Sequence, residues 1–179
     1  YGAMEFVKSI DIGNVTTADI TDSIFNDQNF ETIVMIKNFR SGSTTAISEV
    51  RGYAIIDGAL PTNSYYTRSV IDDSGNSSTN EGQSYWRFGY FSANYTDTAN
   101  VYGNIHFRTL IDGDGDRRVH HQGEFYGFRD SEATSNIRGC HIYFSGAVNQ
   151  DFSSFDGIRM NFISSDTDAD TKVEIYKRA

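Results

Sequence analysis

Several residue types are scarce in this 179-residue sequence, and each shortage narrows the possible structures. The single cysteine, Cys140, excludes an internal disulfide, so the fold must be held together without one. Leucine, a strong helix former, occurs only at positions 60 and 110. No stretch repeats apolar residues at the three- and four-residue spacing of an amphipathic helix. The scarcity of helix formers and of helical periodicity favours an all-β fold.

Positive charge is also in short supply. The chain has 15 Lys and Arg against 24 Asp and Glu, which gives a formal net charge of −9. Proteins that bind nucleic acid through phosphates present a basic surface, so a nucleic-acid partner is not expected. Acidity also weakens binding to anionic membranes, and no apolar run is long enough to cross a bilayer, so membrane insertion is not expected.

Aromatic and β-branched residues are plentiful, and they suit half-buried strands. Aromatics make up 14% of the chain, and turn-forming polar segments separate short runs rich in them. Eleven strands are predicted: Glu5–Ile12, Ala18–Ile24, Phe30–Phe39, Ser48–Asp57, Tyr65–Asp72, Tyr85–Phe91, Val101–Ile111, Val119–Arg129, Asn136–Phe144, Gly157–Ile163 and Thr171–Lys177.

About eleven short strands with polar turns between them predict an antiparallel β-sandwich of the jelly-roll type. We interpret residues 5–179 as a single β-sandwich domain, since no shift in composition marks a second one. Residues 1–4 are interpreted as either an expression remnant or a flexible N-terminus. No secretory signal peptide is visible in the sequence.

The segment from Val101 to Phe128 contains two strictly alternating runs joined by a short acidic link. Alternation with a period of two predicts strands with one buried and one solvated face. Matching apolar residues across the pair predicts a hairpin in which Ile111 faces Val119 and Phe107 faces Gly123. In this register a seven-residue loop, residues 112–118, joins the strands, and large rings cover glycines.

The acidic link itself has two interpretations. Asp112, Asp114 and Asp116 have the spacing of the first three calcium ligands of an EF-hand. However, Arg117 stands where that loop requires glycine, and Gly123 stands where it requires glutamate. We therefore interpret the link first as an Asp-Gly-rich turn, and calcium binding by the three aspartates remains the alternative.

Residues 85–91 concentrate aromatic side chains and supply the candidate ligand-binding residues. Alternation places Trp86 and Phe88 on a richly apolar face that is predicted to be core. Tyr85 and Arg87 then fall on the opposite face and are candidates for an exposed contact with a ligand. The remaining candidates of this kind are Tyr65 and Tyr66.

The residues typical of catalytic and metal centres form no recognisable motif. Zinc requires three or four converging ligands, so a surface or cross-strand role is expected for the histidines His106, His120, His121 and His141. Cys140 is expected to be a small buried residue. No nucleophile elbow, phosphate-binding loop or dinucleotide fingerprint occurs, so no catalytic residues are predicted. A pair of carboxylates for glycoside hydrolysis remains an alternative, because the sequence does not give the distance between two carboxylates.

Three parts of the chain resemble tailed-bacteriophage virion structural proteins. The C-terminal segments Phe155–Phe162 and Lys172–Arg178 resemble the closing hairpin of those proteins, with a final Val-x-Ile-Tyr strand. The segments Ile20–Phe25 and Phe30–Ile36 resemble their early region, and Tyr65-Tyr66 lies where they often have a short tyrosine element.

The resemblance implies a β-sandwich module, often trimeric, at the tail or capsid surface of a virion. Its function would be that of a non-enzymatic tail-fibre or receptor-binding domain, and a capsid decoration protein is the alternative on the same fold. The expected partners are other virion proteins, further copies of the chain, and a glycan or protein receptor on the host surface. A carbohydrate-binding lectin module of a secreted bacterial protein remains a further alternative, and no cofactor beyond the possible calcium is expected.

Overall fold

A computed structural model describes residues 2–41, 47–62, 65–69, 78–90, 101–131 and 136–179, and no side chain at 66–69, 78–82, 90, 128–131 or 136–140 is described. The described residues form twelve strands and one short 3-10 helix, Ser23–Asn26. The strands are β1 Glu5–Asp11, β2 Thr17–Thr21, β3 Glu31–Phe39, β4 Glu49–Ile56, β5 Tyr65–Ser69, β6 Ser78–Gln83, β7 Trp86–Tyr90, β8 Val101–Ile111, β9 Arg117–Ser131, β10 Asn136–Val148, β11 Phe155–Ile163 and β12 Lys172–Arg178.

The strands form two antiparallel sheets, which confirms the predicted sandwich. The larger sheet has the order β1-β12-β3-β8-β9-β10-β5-β6, and the smaller sheet has the order β2-β11-β4-β7. Setting aside the hairpins β5–β6 and β9–β10 leaves eight strands in the orders β1-β12-β3-β8 and β2-β11-β4-β7. When these eight strands are renumbered from 1 to 8 along the chain, the orders become 1-8-3-6 and 2-7-4-5, which is the jelly-roll arrangement. The two hairpins extend one edge of the larger sheet. Within the described part of the chain, no helix is both long and apolar enough to cross a membrane.

The inner faces of the two sheets meet in a core that is rich in aromatic rings. Trp86 and Phe88 of β7 are fully buried, as the alternation of residues 85–91 predicts. Across the sandwich, Phe88 lies 5.2 Å from Phe144 of β10, and Trp86 lies 6.1 Å from Phe107 of β8, between ring centroids. The smaller sheet therefore covers β8, β9 and β10 mainly through the rings of β7.

The hairpin β8–β9 is present, but its predicted register is wrong by two residues. Ile111 pairs with Arg117, and Val119 pairs with Thr109. A two-residue shift keeps every side chain on its predicted face, so the apolar pattern cannot distinguish the two registers. The loop is five residues long, 112–116, because Asp112 closes it early. In the observed register Ile111 is 60% exposed and lies outside the core.

The covering of glycines by rings is confirmed, but with different partners. Phe125 lies directly opposite Gly103, and Phe144 lies directly opposite Gly123. A Cβ at Gly103 would come within 2.6 Å of the Phe125 ring, and one at Gly123 within 2.7 Å of the Phe144 ring. Both rings therefore occupy the space that an alanine side chain would need.

Two further expectations are corrected. Phe155–Ile163 and Lys172–Arg178 do not form a closing hairpin, because β11 lies in the smaller sheet and β12 in the larger one. Eleven strands were predicted and twelve are described, and the additional strand is β6, Ser78–Gln83. This strand lies at the edge of the larger sheet and lacks an alternating apolar pattern, which explains why it was missed. The expected burial of Cys140 falls outside the described side chains.

Gly157 allows a local distortion in β11 that an alanine would not tolerate. Its φ of +148° is rare for other residues, and a Cβ there would collide with the carbonyl oxygen of Ile20. We expect Gly157→Ala to lower the free energy of unfolding by about 2–3 kcal/mol in urea denaturation. Gly115 is the matched control, since its φ is +90° but its Cβ position is open, and its alanine variant should lose only about 1 kcal/mol. Equal losses would contradict the steric argument.

Candidate functional site

Tyr85 and Arg87 lie on the outer face of the smaller sheet, as predicted, but they take part in an ion-pair cluster. The carboxylate of Glu49 accepts from Arg87 Nε at 2.6 Å and from Arg51 Nη2 at 2.9 Å. The Arg51 guanidinium lies 4.3 Å from the centre of the Tyr85 ring. Burial alone would lower the pKa of Arg87, but the hydrogen bond with Glu49 raises it above the usual range. Both arginines therefore neutralise the nearly buried Glu49 within the fold.

Of the other two candidate tyrosines, Tyr65 is the one with a described side chain, and it does not provide an exposed contact. Tyr65 is fully buried, and its hydroxyl accepts a hydrogen bond from the Ala54 amide at 3.1 Å. Burial raises the pKa of that hydroxyl. Tyr65 is therefore a core residue, and the ligand contact predicted for it is wrong. The sequence alone could not show which of Tyr65 and Tyr66 faces outward, because that depends on the register of β5. The side chain of Tyr66 lies outside the described residues.

The acidic link forms a closed turn. One oxygen of the Asp112 carboxylate accepts from the amides of Asp114 and Asp116, each at 3.0 Å. Arg118 lies 3.2 Å from Asp112 and 2.8 Å from Asp116, so its guanidinium occupies the side on which those carboxylates converge. This geometry supports the turn interpretation, and a bound calcium ion would have to compete with Arg118. Among the described residues, no group of three or more His, Cys, Asp and Glu side chains is arranged to hold a metal ion.

The four histidines occupy different environments. His106 and His120 lie on the outer face of the larger sheet, as predicted, and His106 Nδ1 lies 3.2 Å from Glu31. His141 is exposed on the same face. His121 is fully buried in the core, so the surface or cross-strand role expected for it is wrong. Alternation along β9 places it on the same face as Val119 and Gly123.

An exposed group of side chains on the larger sheet is a stronger candidate site than the predicted residues. We define the outer patch as Tyr102, Tyr126, Tyr143, His141 and Glu124. These residues come from three adjacent strands, β8, β9 and β10. Tyr102 pairs with Tyr126 and Tyr126 with His141, while Glu124 pairs with Tyr143. The patch therefore forms two neighbouring rows, with Tyr102, Tyr126 and His141 in the first and Glu124 and Tyr143 in the second. The two rows together span about 10 Å across the strands and 7 Å along them.

The aromatic rings of the outer patch are exposed and partly stacked. Tyr102, Tyr126 and Tyr143 are 38%, 46% and 53% exposed, which is high for large aromatic side chains on a sheet. The Tyr102 and Tyr126 rings are stacked, with centroids 5.9 Å apart and planes at 25°. The His141 and Tyr143 rings lie 4.0 Å apart. The two ring pairs make this part of the sheet surface rich in exposed aromatic side chains, which can bind a planar or ring-shaped partner.

A chain of hydrogen bonds joins His141 of the first row to Glu124 and Tyr143 of the second row. His141 Nε2 lies 2.7 Å from a carboxylate oxygen of Glu124, and the Tyr143 hydroxyl lies 3.0 Å from His141 Nδ1. In the neutral imidazole, Nε2 donates to Glu124 and Nδ1 accepts from Tyr143. A carboxylate can accept about four hydrogen bonds, so Glu124 keeps acceptor capacity for a ligand.

The outer patch was missed because its residues were assigned only to a polar face. Tyr102, Tyr126 and Glu124 all occupy outward positions in the alternation of β8 and β9. Aromatic rings at such positions do not fill the sandwich core, and tyrosine rings there can contact a partner. A search for tyrosine at solvent-facing strand positions would have found two of the three rings.

No protein-family model, curated protein or solved structure matches this chain.

Proposed function

We propose that this chain is a non-enzymatic adhesion module of a tailed-bacteriophage virion, serving as a tail-fibre or receptor-binding domain. The outer patch is the observation that carries the proposal, because it combines exposed rings with ordered polar groups on a rigid sheet. The jelly-roll arrangement supports it, since viral capsid proteins and lectins use this architecture. Fold alone does not determine function, so the weight rests on the patch.

The position of the patch also suits adhesion. It lies on the outer face of the larger sheet, away from the inner face that packs against the smaller sheet. Strands β8, β9 and β10 hold its side chains in fixed register, and sites built on strands are positioned more accurately than sites on loops. A receptor could therefore be bound without rearrangement of the fold.

A lectin module of a secreted bacterial protein is the second candidate, and the same patch favours it. Both functions use surface recognition without catalysis. They differ in assembly, because a virion fibre or cap is built from symmetric copies, whereas a free lectin domain can act as a monomer.

We expect the chain to form a trimer, with a mass in sedimentation equilibrium of three times its 20.0 kDa. Symmetric association is the usual way in which identical chains form a stiff fibre. The measurement should be made from about 1 to 100 μM and repeated at high salt, since the net charge of −9 opposes self-association at low salt. A mass of one chain over the whole range would contradict the virion proposal and favour the lectin.

Cell binding separates the virion functions. Fluorescently labelled chain, applied to a panel of bacterial strains, should label a subset of strains if it is a receptor-binding domain. Binding to assembled capsids and to no strain would indicate a decoration protein and overturn the receptor-binding assignment.

A further inference from the structure

We propose that the outer patch is the binding site for a neutral glycan. This inference rests on the proposed adhesion function and names the ligand class for it. A sugar ring would pack against Tyr102 and Tyr126, while its hydroxyls would bond to Glu124 and the Tyr143 hydroxyl.

The stacking half of the site is formed by the first row. Sugar rings present an apolar face of C–H groups, which bear partial positive charge, and the face of an aromatic ring bears partial negative charge. Tyr102 and Tyr126 offer two nearly parallel rings whose planes differ by only 25°. Each ring is more than a third exposed, so the pair leaves aromatic surface against which a sugar ring can pack.

The polar half of the site is formed by the second row. A sugar hydroxyl can donate its hydrogen to a carboxylate or to another hydroxyl oxygen. Glu124 provides the acceptor, and the Tyr143 hydroxyl oxygen can accept while its hydrogen is bonded to His141. Because this hydrogen-bond chain already exists without a ligand, binding requires little ordering of side chains.

Charge selects a neutral ligand over an anionic one. Glu124 is the acidic member of the patch, and the whole chain has a net charge of −9. Lys37, near the patch on β3, is paired with Glu174 at 2.6 Å, and that hydrogen bond raises the pKa of the lysine. A sialylated, sulfated or phosphorylated sugar would meet repulsion there, since like charges disfavour binding.

The size of the patch favours a small ligand over a second copy of the chain. The exposed parts of the three tyrosines amount to roughly 300 Å². A stable protein–protein interface buries about 800 Å² on each partner. The three tyrosines alone would therefore supply less than half of such an interface, whereas their area suits a short oligosaccharide.

The test is a glycan array followed by calorimetry, using the full chain and three variants. The array should include neutral hexose and N-acetylhexosamine oligosaccharides together with sialylated and sulfated ones. The wild type should bind neutral members, and Tyr126→Ser and Glu124→Ala should each weaken the best hit at least tenfold. Leu110→Ser is the matched control, because Leu110 is 49% exposed on the same sheet face and outside the patch. Its affinity should stay within twofold of the wild type.

Three results would overturn the inference: binding to no glycan at millimolar concentration, preference for anionic glycans, or binding that Tyr126→Ser leaves unchanged. A fall in sedimentation mass caused by Tyr126→Ser would overturn it as well, since the patch would then be an interface between copies. Labelling of bacterial cells by both the wild type and Tyr126→Ser would leave the adhesion function standing while removing the patch as its site.

Discussion

Glu31→Ala is expected to lower the free energy of unfolding by roughly 3 kcal/mol, near the lower end of values for breaking a buried ion pair. Glu31 is 5% exposed at the start of β3. Its carboxylate accepts from Arg108 Nε at 3.2 Å and from Arg178 of β12, and it lies 3.2 Å from His106. Removal leaves the mostly buried Arg178 without this carboxylate. Arg108 is 53% exposed at its side chain and can turn to water, which limits the loss.

The test compares the free energies of unfolding of Glu31→Ala and Glu5→Ala, both measured by urea denaturation. Glu5 lies 3.1 Å from Lys177, on the neighbouring strand pair of the same sheet, but its side chain is 68% exposed. Exposed pairs contribute about 0–1 kcal/mol, so the control should lose little. Replacing both Glu31 and Arg178 by leucine should cost less than the sum of the single changes, because no buried charge is then left unpaired. Equal losses for Glu31 and Glu5 would show that burial does not strengthen the cluster.

The Glu31 cluster also predicts loss of stability in strong acid. Burial would raise the pKa of Glu31, but the adjacent His106, the hydrogen bond from Arg178 and the nearby charge of Arg108 leave it below its ordinary value. A carboxyl group with a lowered pKa in the folded state stabilises the fold above its unfolded pKa of about 4.3. That contribution is lost as the pH falls below this value towards the folded pKa.

The fold class followed from the sequence because it depends on local pattern. Val101–Ile111 was predicted with the bounds that β8 has, since its alternation is unbroken. The register of β8 against β9 was wrong because two registers differing by two residues bury the same faces. The choice between them is made by the Asp112 turn, by the Phe125 ring over Gly103 and by the Phe144 ring over Gly123. These contacts join residues whose spacing in the sequence reveals nothing about their pairing.

The candidate site was harder to predict for a similar reason. Tyr102, Tyr126 and His141 become neighbours only when β8, β9 and β10 are placed side by side in the observed register. The predicted register, with Ile111 opposite Val119, would place Glu124 opposite His106, whereas Glu124 bonds His141. Local aromatic density instead directed attention to residues 85–91, where Trp86 and Phe88 serve the core and Arg87 pairs with Glu49. Aromatic composition alone could not separate rings that fill a core from rings that face a ligand.

His121 is expected to make the fold sensitive to mild acid. It is fully buried, and its ring lies 4.5 Å from Trp86 and 5.1 Å from Phe88, between centroids. The rings of Phe107 and Phe144 each lie 5.9 Å away, and neither imidazole nitrogen has a hydrogen-bond partner. Burial, aided by the neighbouring His120, lowers the pKa of His121 well below its ordinary value. The folded state therefore holds this imidazole neutral at a pH where the unfolded chain would protonate it.

The sign of the effect follows from proton binding. Below the unfolded histidine pKa of about 6.5, the unfolded state binds one more proton at His121 than the folded state does. Stability therefore falls by up to about 1.4 kcal/mol for each pH unit below 6.5, until the folded pKa is reached. Burial lowers the pKa of His120 in the same direction, so the two residues must be separated by substitution. Carboxylates such as Glu31 contribute only at lower pH, so the window from about 4.5 to 6.5 reports the histidines.

Unfolding in urea at several pH values between 5 and 7.5 measures this dependence. His121→Phe should flatten most of the slope and raise stability at pH 5.5, because a phenyl ring suits the surrounding rings and has no nitrogen to leave unpaired. His120→Gln is the matched control, since His120 is the adjacent residue on the outer face and half-buried. Most of the slope should survive in that variant. A slope that His121→Phe leaves intact would show that His121 is hydrated or partnered in solution, and a slope abolished by His120→Gln would place the sensitivity at the surface.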